Sequence, residues 1–273
     1  MLLDADREKL IELKQTLDTS VRVVMMPYHT AFDADGKPSF SYYRERLLRA
    51  DAGFVWQGAV HEAIVPSGKT IYKDIAVTHR KTRPSDPDRN LRIFEKLLAE
   101  GRTLDPRQQF YYAREVYYHA EYRRAADAFR RFIDSGQGWI ENVLDACRMM
   151  AYCHYGLGEE EQALRCLLES LVFDCPRAES CCDIGKHFLD RERYKQAIFW
   201  FETALSCKRN DASGAFVQAD CYDYIPCLQL CVCHDRLGNR ELARAYNEKA
   251  ACYKPGSPEV AHNRAYFEEQ QNT

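Results

Sequence analysis

At 273 residues, the chain is long enough for one large domain or two ordinary ones, each with a real hydrophobic core. Its 46% hydrophobic and 29% charged residues are those of a water-soluble globular protein, and a formal net charge of −3 lacks the basic excess of a nucleic-acid binder. No apolar run approaches the roughly 18–20 residues that span a bilayer, and MLLDADREKL has no signal-peptide character, so a cytoplasmic location is expected, with the 12 cysteines as reduced thiols.

Residues 1 to about 83 mix helical and strand periods. From Asp6 to Leu17, apolar residues at Leu10, Ile11, Leu13 and Leu17 predict one face of a helix. The run Val21 to Met26, VRVVMM, is short and rich in β-branched residues. Apart from Arg22 it is apolar on both faces, which predicts a strand covered on two sides. AFDADGKPSF supplies a turn with Asp35-Gly36 as the reversal, and SYYRERLLR returns as a second strand. FVWQGAVHEAIV, residues 54–65, follows and gathers Trp56, Gly58, His61 and Glu62. By residue type alone, such a Trp belongs to a core and such a His-Glu pair to a solvated strand end. A last strand is predicted in TIYKDIAVTHR. KTRPSDPDRN then opens a helix, with Ser85 or Asp86 as cap, Pro87 in the first turn and Gly101 at the close. Its inner face is Leu91, Phe94, Leu97 and Leu98.

Beyond Gly101 the strand signals stop and a repeat begins: an Ala, a bulky residue four positions on, and usually a small residue three further. Ala125 leads to Phe129 and Phe132, Ala163 to Leu167 and Ser170, Ala197 to Phe201 and Ala204, and Ala243 to Asn247 and Ala250. Ile184, Gly185 and Phe188 precede Ala197 at the offsets of a paired first helix. The pattern resembles the tetratricopeptide repeat (TPR), in which antiparallel helices pack small residues against large ones. The Ala-to-Ala spacings are 38, 34 and 46 residues, against a family period of about 34. Insertions are therefore expected in the first and last intervals, SCKRNDASGAFVQAD being the clearest, and Asn247 stands where an aromatic is usual.

The front region carries a second resemblance. FSYYRERLLRADAGFVWQGAVHEAI and DIAVTHRKTRPSDPDRNLRIFEKLLAEG together are similar to the later half of family 2 glycosyltransferases of GT-A type, in the subgroup with helical repeats behind the catalytic domain. Arg44-Glu45-Arg46, Trp56-x-Gly58-x-x-His61-Glu62 and His79-Arg80-Lys81 leading into Arg83-Pro84 carry it. The organisation this implies is an α+β partial GT-A-like region over residues 1–101, acceptor side only and without its nucleotide-binding half. An all-α TPR-like solenoid of about four repeats follows over 102–273. The resemblance implies Glu62 as a candidate base near an acceptor and His61 as a contact to a cation or diphosphate. It also implies Trp56 as a platform for a sugar ring, with Arg80, Lys81 and Arg83 approaching the diphosphate. By composition alone the basic cluster at 79–83 reads as solvated linker. The complete family enzyme uses Mg²⁺ or Mn²⁺ on an Asp-x-Asp motif, whose carboxylates hold the cation that neutralises the leaving diphosphate. Asp4-Ala5-Asp6 lacks a preceding strand and Asp33-Ala34-Asp35 falls at a hairpin tip, so neither is assigned a metal.

Cys221, Cys227, Cys231 and Cys233, with His234, invite a zinc reading. Zinc ligands usually come as close pairs in turns, whereas these run along a helix and read as small buried thiols. Two functions stand side by side. One is sugar transfer from a nucleotide-sugar donor, in a chain completed by a missing glycosyltransferase half on another polypeptide. The other is a non-catalytic interaction module with a peptide or protein in the repeat groove. An incomplete sheet would also leave the VRVVMM strand open to a partner or to homodimerisation.

Overall fold

The computed structural model describes residues 4–32, 36, 38–78, 86–210 and 217–270. It divides into two compact units, the first running to Glu115 and the second starting at Val116.

The first unit begins with helix α1 (Asp4–Thr16) and a hairpin of β1 (Val23–Phe32) and β2 (Pro38–Leu48). Short strands β3 (Thr70–Tyr72) and β4 (Val77–Thr78) follow, then α2 (Arg89–Ala99) and the opening turns of α3 (Pro106–Tyr118). β1 lies inside the sheet. It pairs antiparallel with β2, Val23 opposite Leu48, and parallel with β3 and β4 on its other edge. The expected open edge of VRVVMM is therefore corrected: Val23–Met25 and Tyr28–His29 have strand neighbours on both sides within this chain. Its two-sided burial has a local cause. Leu13 of α1, with Leu10 and Leu17, packs on Val21, Val24, Met26 and Ile75, while Val23 is buried on the opposite face. Ile11, counted by period with the inner face of α1, is exposed.

The single last strand predicted from TIYKDIAVTHR is two pieces. Between them the Ala76 amide leaves the ladder and donates to the Asp6 carboxylate, 3.2 Å away. The second Asp of Asp4-Ala5-Asp6 thus ties α1 to the sheet, satisfying a buried N–H that would otherwise be orphaned. Asp33, Ala34 and Asp35 lie outside the described residues, as do His79 to Ser85. Asp86 accepts from the Asp88 amide and from Arg92 at the entry to α2. The helix proper starts at Arg89, so Pro87 stands just before it. Leu91 and Phe94 are buried as expected, but Leu98 turns outward. Gly101, at φ +74°, takes the left-handed turn that ends the helix without Cβ strain.

The second unit is a stack of helix hairpins: α4 (Tyr122–Asp134), α5 (Ile140–Gly156) with α6 (Glu160–Phe173), α7 (Ala178–Leu189) with α8 (Tyr194–Ser206), α9 (Tyr224–Arg236) with α10 (Arg240–Tyr253), and a closing α11 (Pro258–Glu269). The repeat positions singled out by period are buried, from Ala125, Phe129 and Phe132 to Ala243, Asn247 and Ala250, except that Phe188 is half-buried. Small residues admit large ones. A Cβ on Gly185 would come within 2.8–2.9 Å of the Phe201 ring, and one on Gly156 within 2.6 Å of Tyr122. This is tetratricopeptide-like packing, and it identifies the helical unit from its own geometry. The long last interval is taken up between α8 and α9, where residues 219–222 form a 3-10 turn.

Candidate functional site

The segment holding Trp56, His61 and Glu62 is a tight loop. Gln57 and Ala63 exchange both backbone hydrogen bonds, at 2.9 and 3.0 Å, closing Gly58–Glu62 between them. Gly58 at φ +99° and His61 at φ +54° make the reversal. A non-glycine residue in the left-handed region is strained unless its surroundings hold it, and His61 is held on three sides. Its ring stacks on Tyr111 at 4.3 Å, its Nε2 donates to Glu115 Oε1 at 3.1 Å, and its carbonyl accepts from Arg107 at 3.2 Å. Glu115 is buried and also accepts from Asn90 Nδ2 at 3.1 Å. The imidazole therefore pins the loop. Trp56 is 63% exposed and does not belong to the core its residue type suggested. Glu62 is exposed, its carboxylate paired with none of the described residues, and its carbonyl accepts from Arg44 at 3.4 Å. Trp56 thus lies just outside the bridged pair and Glu62 just inside it. Arg80, Lys81 and Arg83 fall outside the described residues.

The helical unit carries a second constellation, which the sequence reading missed. Asp145, Arg148, Tyr152 and Tyr155 follow helical spacing on one side of α5, and Glu179, Asp183 and His187 do so on α7. The two rows meet. Arg148 Nε and the Tyr152 hydroxyl both donate to Asp183 Oδ2, at 2.7 and 2.6 Å, and Arg148 Nη2 donates to the Tyr152 oxygen at 2.9 Å. Burial opposes the charge on Arg148, but Asp183, Tyr152 and Asp145 more than offset it and hold the guanidinium protonated. The Tyr155 hydroxyl lies 2.8 Å from Nδ1 of His187. Burial, aided by Arg191, keeps that imidazole below its usual range, so the neutral ring accepts from the tyrosine. Glu179 receives the Gln218 amide and the Tyr222 hydroxyl. The available signal was the recurrence of polar residues at helical spacing in two otherwise apolar helices.

The cysteines disperse. Cys227 packs with Ala250 and Val260, Cys231 with Ala243 and Phe267, and Cys233 with Phe201 and Leu230. Burial pushes the thiols of Cys231 and Cys233 up to about 12. His234 instead stacks on Tyr246 at 5.5 Å. Among the described residues no cluster of three or more His, Cys, Asp or Glu side chains is placed to hold a metal ion. No helix among them is long and apolar enough to cross a membrane.

Neither a protein-family model nor a curated protein matches the chain, so the glycosyltransferase resemblance of the first unit finds no support there. Solved structures similar to it include YrrB, described as a TPR protein with an unusual peptide-binding site (17% identity, 66% of this chain and 84% of that one, TM-score 0.47). A crystal structure of MamA shares 17% identity over 59% of this chain and 84% of its own, with a TM-score of 0.46. The second TPR domain of human RPAP3, solved with an HSP70 peptide, shares 14% identity over 43% of this chain and 88% of its own, with a TM-score of 0.35.

Proposed function

We propose that the helical unit is a protein-interaction module whose partner, an extended peptide segment, lies along the face shared by α5 and α7. The observation that carries this is the Asp145–Arg148–Tyr152–Asp183 network. Polar groups between stacked helices cost desolvation that apolar packing would avoid. Here they are fixed by mutual hydrogen bonds on a rigid scaffold while the two carboxylates keep part of their surface in solvent. Such a row offers preset donors and acceptors to the amides of an extended chain, and helical repeats present that kind of surface at length. Asp145 is the informative position: its side chain is 23% exposed and its carboxylate stands 3.8 Å from Arg148, so it can be changed without breaking a short buried bond. Peptides selected by phage display on the intact chain are expected to bind about tenfold more weakly to Asp145→Lys, with helicity by circular dichroism unchanged. Failure to select any peptide, or equal affinity for the folded variant, rejects the assignment.

A second reading concerns the Trp56 loop. What supports it is an exposed indole and an exposed Glu62 carboxylate, paired with none of the described residues, on a loop pinned by His61. In this reading Trp56 stacks on a sugar acceptor, Glu62 takes a hydroxyl proton and His61 acts by holding the loop. No donor site is assigned. Tryptophan fluorescence titrated with oligosaccharides and with UDP-sugars, with and without Mn²⁺, is expected to show a saturable change that Trp56→Ala abolishes. A flat titration of the folded wild-type chain rejects it.

A further inference from the structure

Arg44-Glu45-Arg46 has no part in either function above, yet the fold builds a cationic cluster around it. Tyr42 and Arg44 alternate along β2 and share one face of the sheet, and the register shift between Val24 and Met25 leaves Arg46 as the extra residue of a bulge. Tyr28 stands opposite Tyr42 in register and meets its ring edge-on at 5.8 Å. The Arg46 guanidinium lies over the Tyr28 ring at 4.1 Å. From α3, Arg107 and Arg114 approach the Tyr111 ring at 4.9 and 5.8 Å. The Tyr42 hydroxyl is pushed above its usual range by burial and feels Arg44, Tyr28, Tyr111 and Arg46 at once, which places strand and helix contributions in one group. Arg44 and Arg107 also converge on consecutive carbonyls, those of Glu62 and His61.

Arg44 Nε is taken by Glu45 at 2.9 Å, and Glu115 is engaged by His61 and Asn90. The Nε atoms of Arg46 and Arg107 are buried and donate to none of the described groups. Buried donors are nearly always satisfied, and the planar guanidinium fork is shaped for oxyanions. The acceptor positions of a carboxylate lie in one plane, whereas the three oxygens of a phosphoryl group point in different directions and suit forks from different elements.

We propose that the face formed by Arg44, Arg46 and Arg107, beside Tyr28 and Tyr42, binds the phosphoryl group of a small molecule. The full chain is titrated calorimetrically with inorganic phosphate and with glycerol 3-phosphate at constant ionic strength, with acetate as the carboxylate control. Saturable binding of either phosphate compound is expected, the stronger of the two showing whether the group is taken free or as an ester. Arg46→Gln and Arg46→Lys, the latter keeping charge and stem but not the fork, are expected to weaken it about tenfold or more. Near-ultraviolet circular dichroism verifies that each variant is folded, and the lysine variant decides if the glutamine one is not. No saturation by the wild-type chain overturns the site. So does equal affinity in the folded variants, which would place the anion elsewhere, and so does acetate binding as tightly as phosphate.

Discussion

Phe201→Ala lowers the unfolding free energy of the helical unit by about 3–5 kcal/mol, the range for truncating a buried aromatic. Phe201 has no exposed surface and sits in a cluster with Ala178, Cys181, Ala197, Ala204 and Leu230. Its ring edge fills the space above Gly185, the small residue that lets α7 and α8 approach. The converse change, Gly185→Ala, overpacks that contact at a cost of about 1–3 kcal/mol, reduced by the roughly 1 kcal/mol that Ala gains over Gly inside a helix. The two substitutions share one space, so they do not add: in the double variant the new methyl enters the room the ring has left. Urea unfolding followed by circular dichroism, run as a double-mutant cycle, measures this. Additivity to within about 0.5 kcal/mol would show that the ring and the glycine are energetically independent.

The second large effect is expected at Asp183. Asp183→Ala leaves the Arg148 guanidinium, whose side chain is only 10% exposed, without the carboxylate that holds it and removes the acceptor of Tyr152. Breaking one side of a buried pair costs about 3–5 kcal/mol, and the part of Asp183 that reaches solvent puts the expectation at about 3. Removing both charges at once is different. Arg148→Met with Asp183→Leu leaves no buried charge unpaired, only the Tyr152 hydroxyl without its two partners, and is expected to stay within about 2 kcal/mol of the wild-type chain. Equal losses in the single and double variants would mean that the network matters only for packing. Peptide binding, if carried by this face, is lost in the double variant although stability returns, which separates the network's two roles.

The helical half was legible because its information is local. An Ala, the large residue four positions on and the small one three further lie on one helix face whatever the neighbours are. Asn247, which looked like a departure, is the instructive exception: it is buried, donates to the Val260 carbonyl at 3.2 Å and accepts from Asn263 at 2.9 Å. A hydrogen-bonded contact to α11 replaces the usual aromatic, and no repeat pattern announces it. The front unit was less legible. The strands of the hairpin were readable from alternation and turn residues, but not that β3 and β4 would return parallel to β1 and close its edge. Glycosyltransferase character rests on motif resemblance alone.

Chemistry depended most on distance along the chain. The ring partner of His61 is Glu115, 54 positions later in the chain, which takes its Nε2. Arg44 and Arg46 become a cluster only when α3 brings Arg107 and Arg114 to the same place. The order of residues by itself determined which segments are helix or strand and which face of each repeat is buried, since backbone period and side-chain size act over a few residues. Only tertiary structure decided which polar groups are satisfied. A hydrogen bond or charge pair is fixed by the position of its partner in space, and here those partners come from helices and strands far apart in the chain.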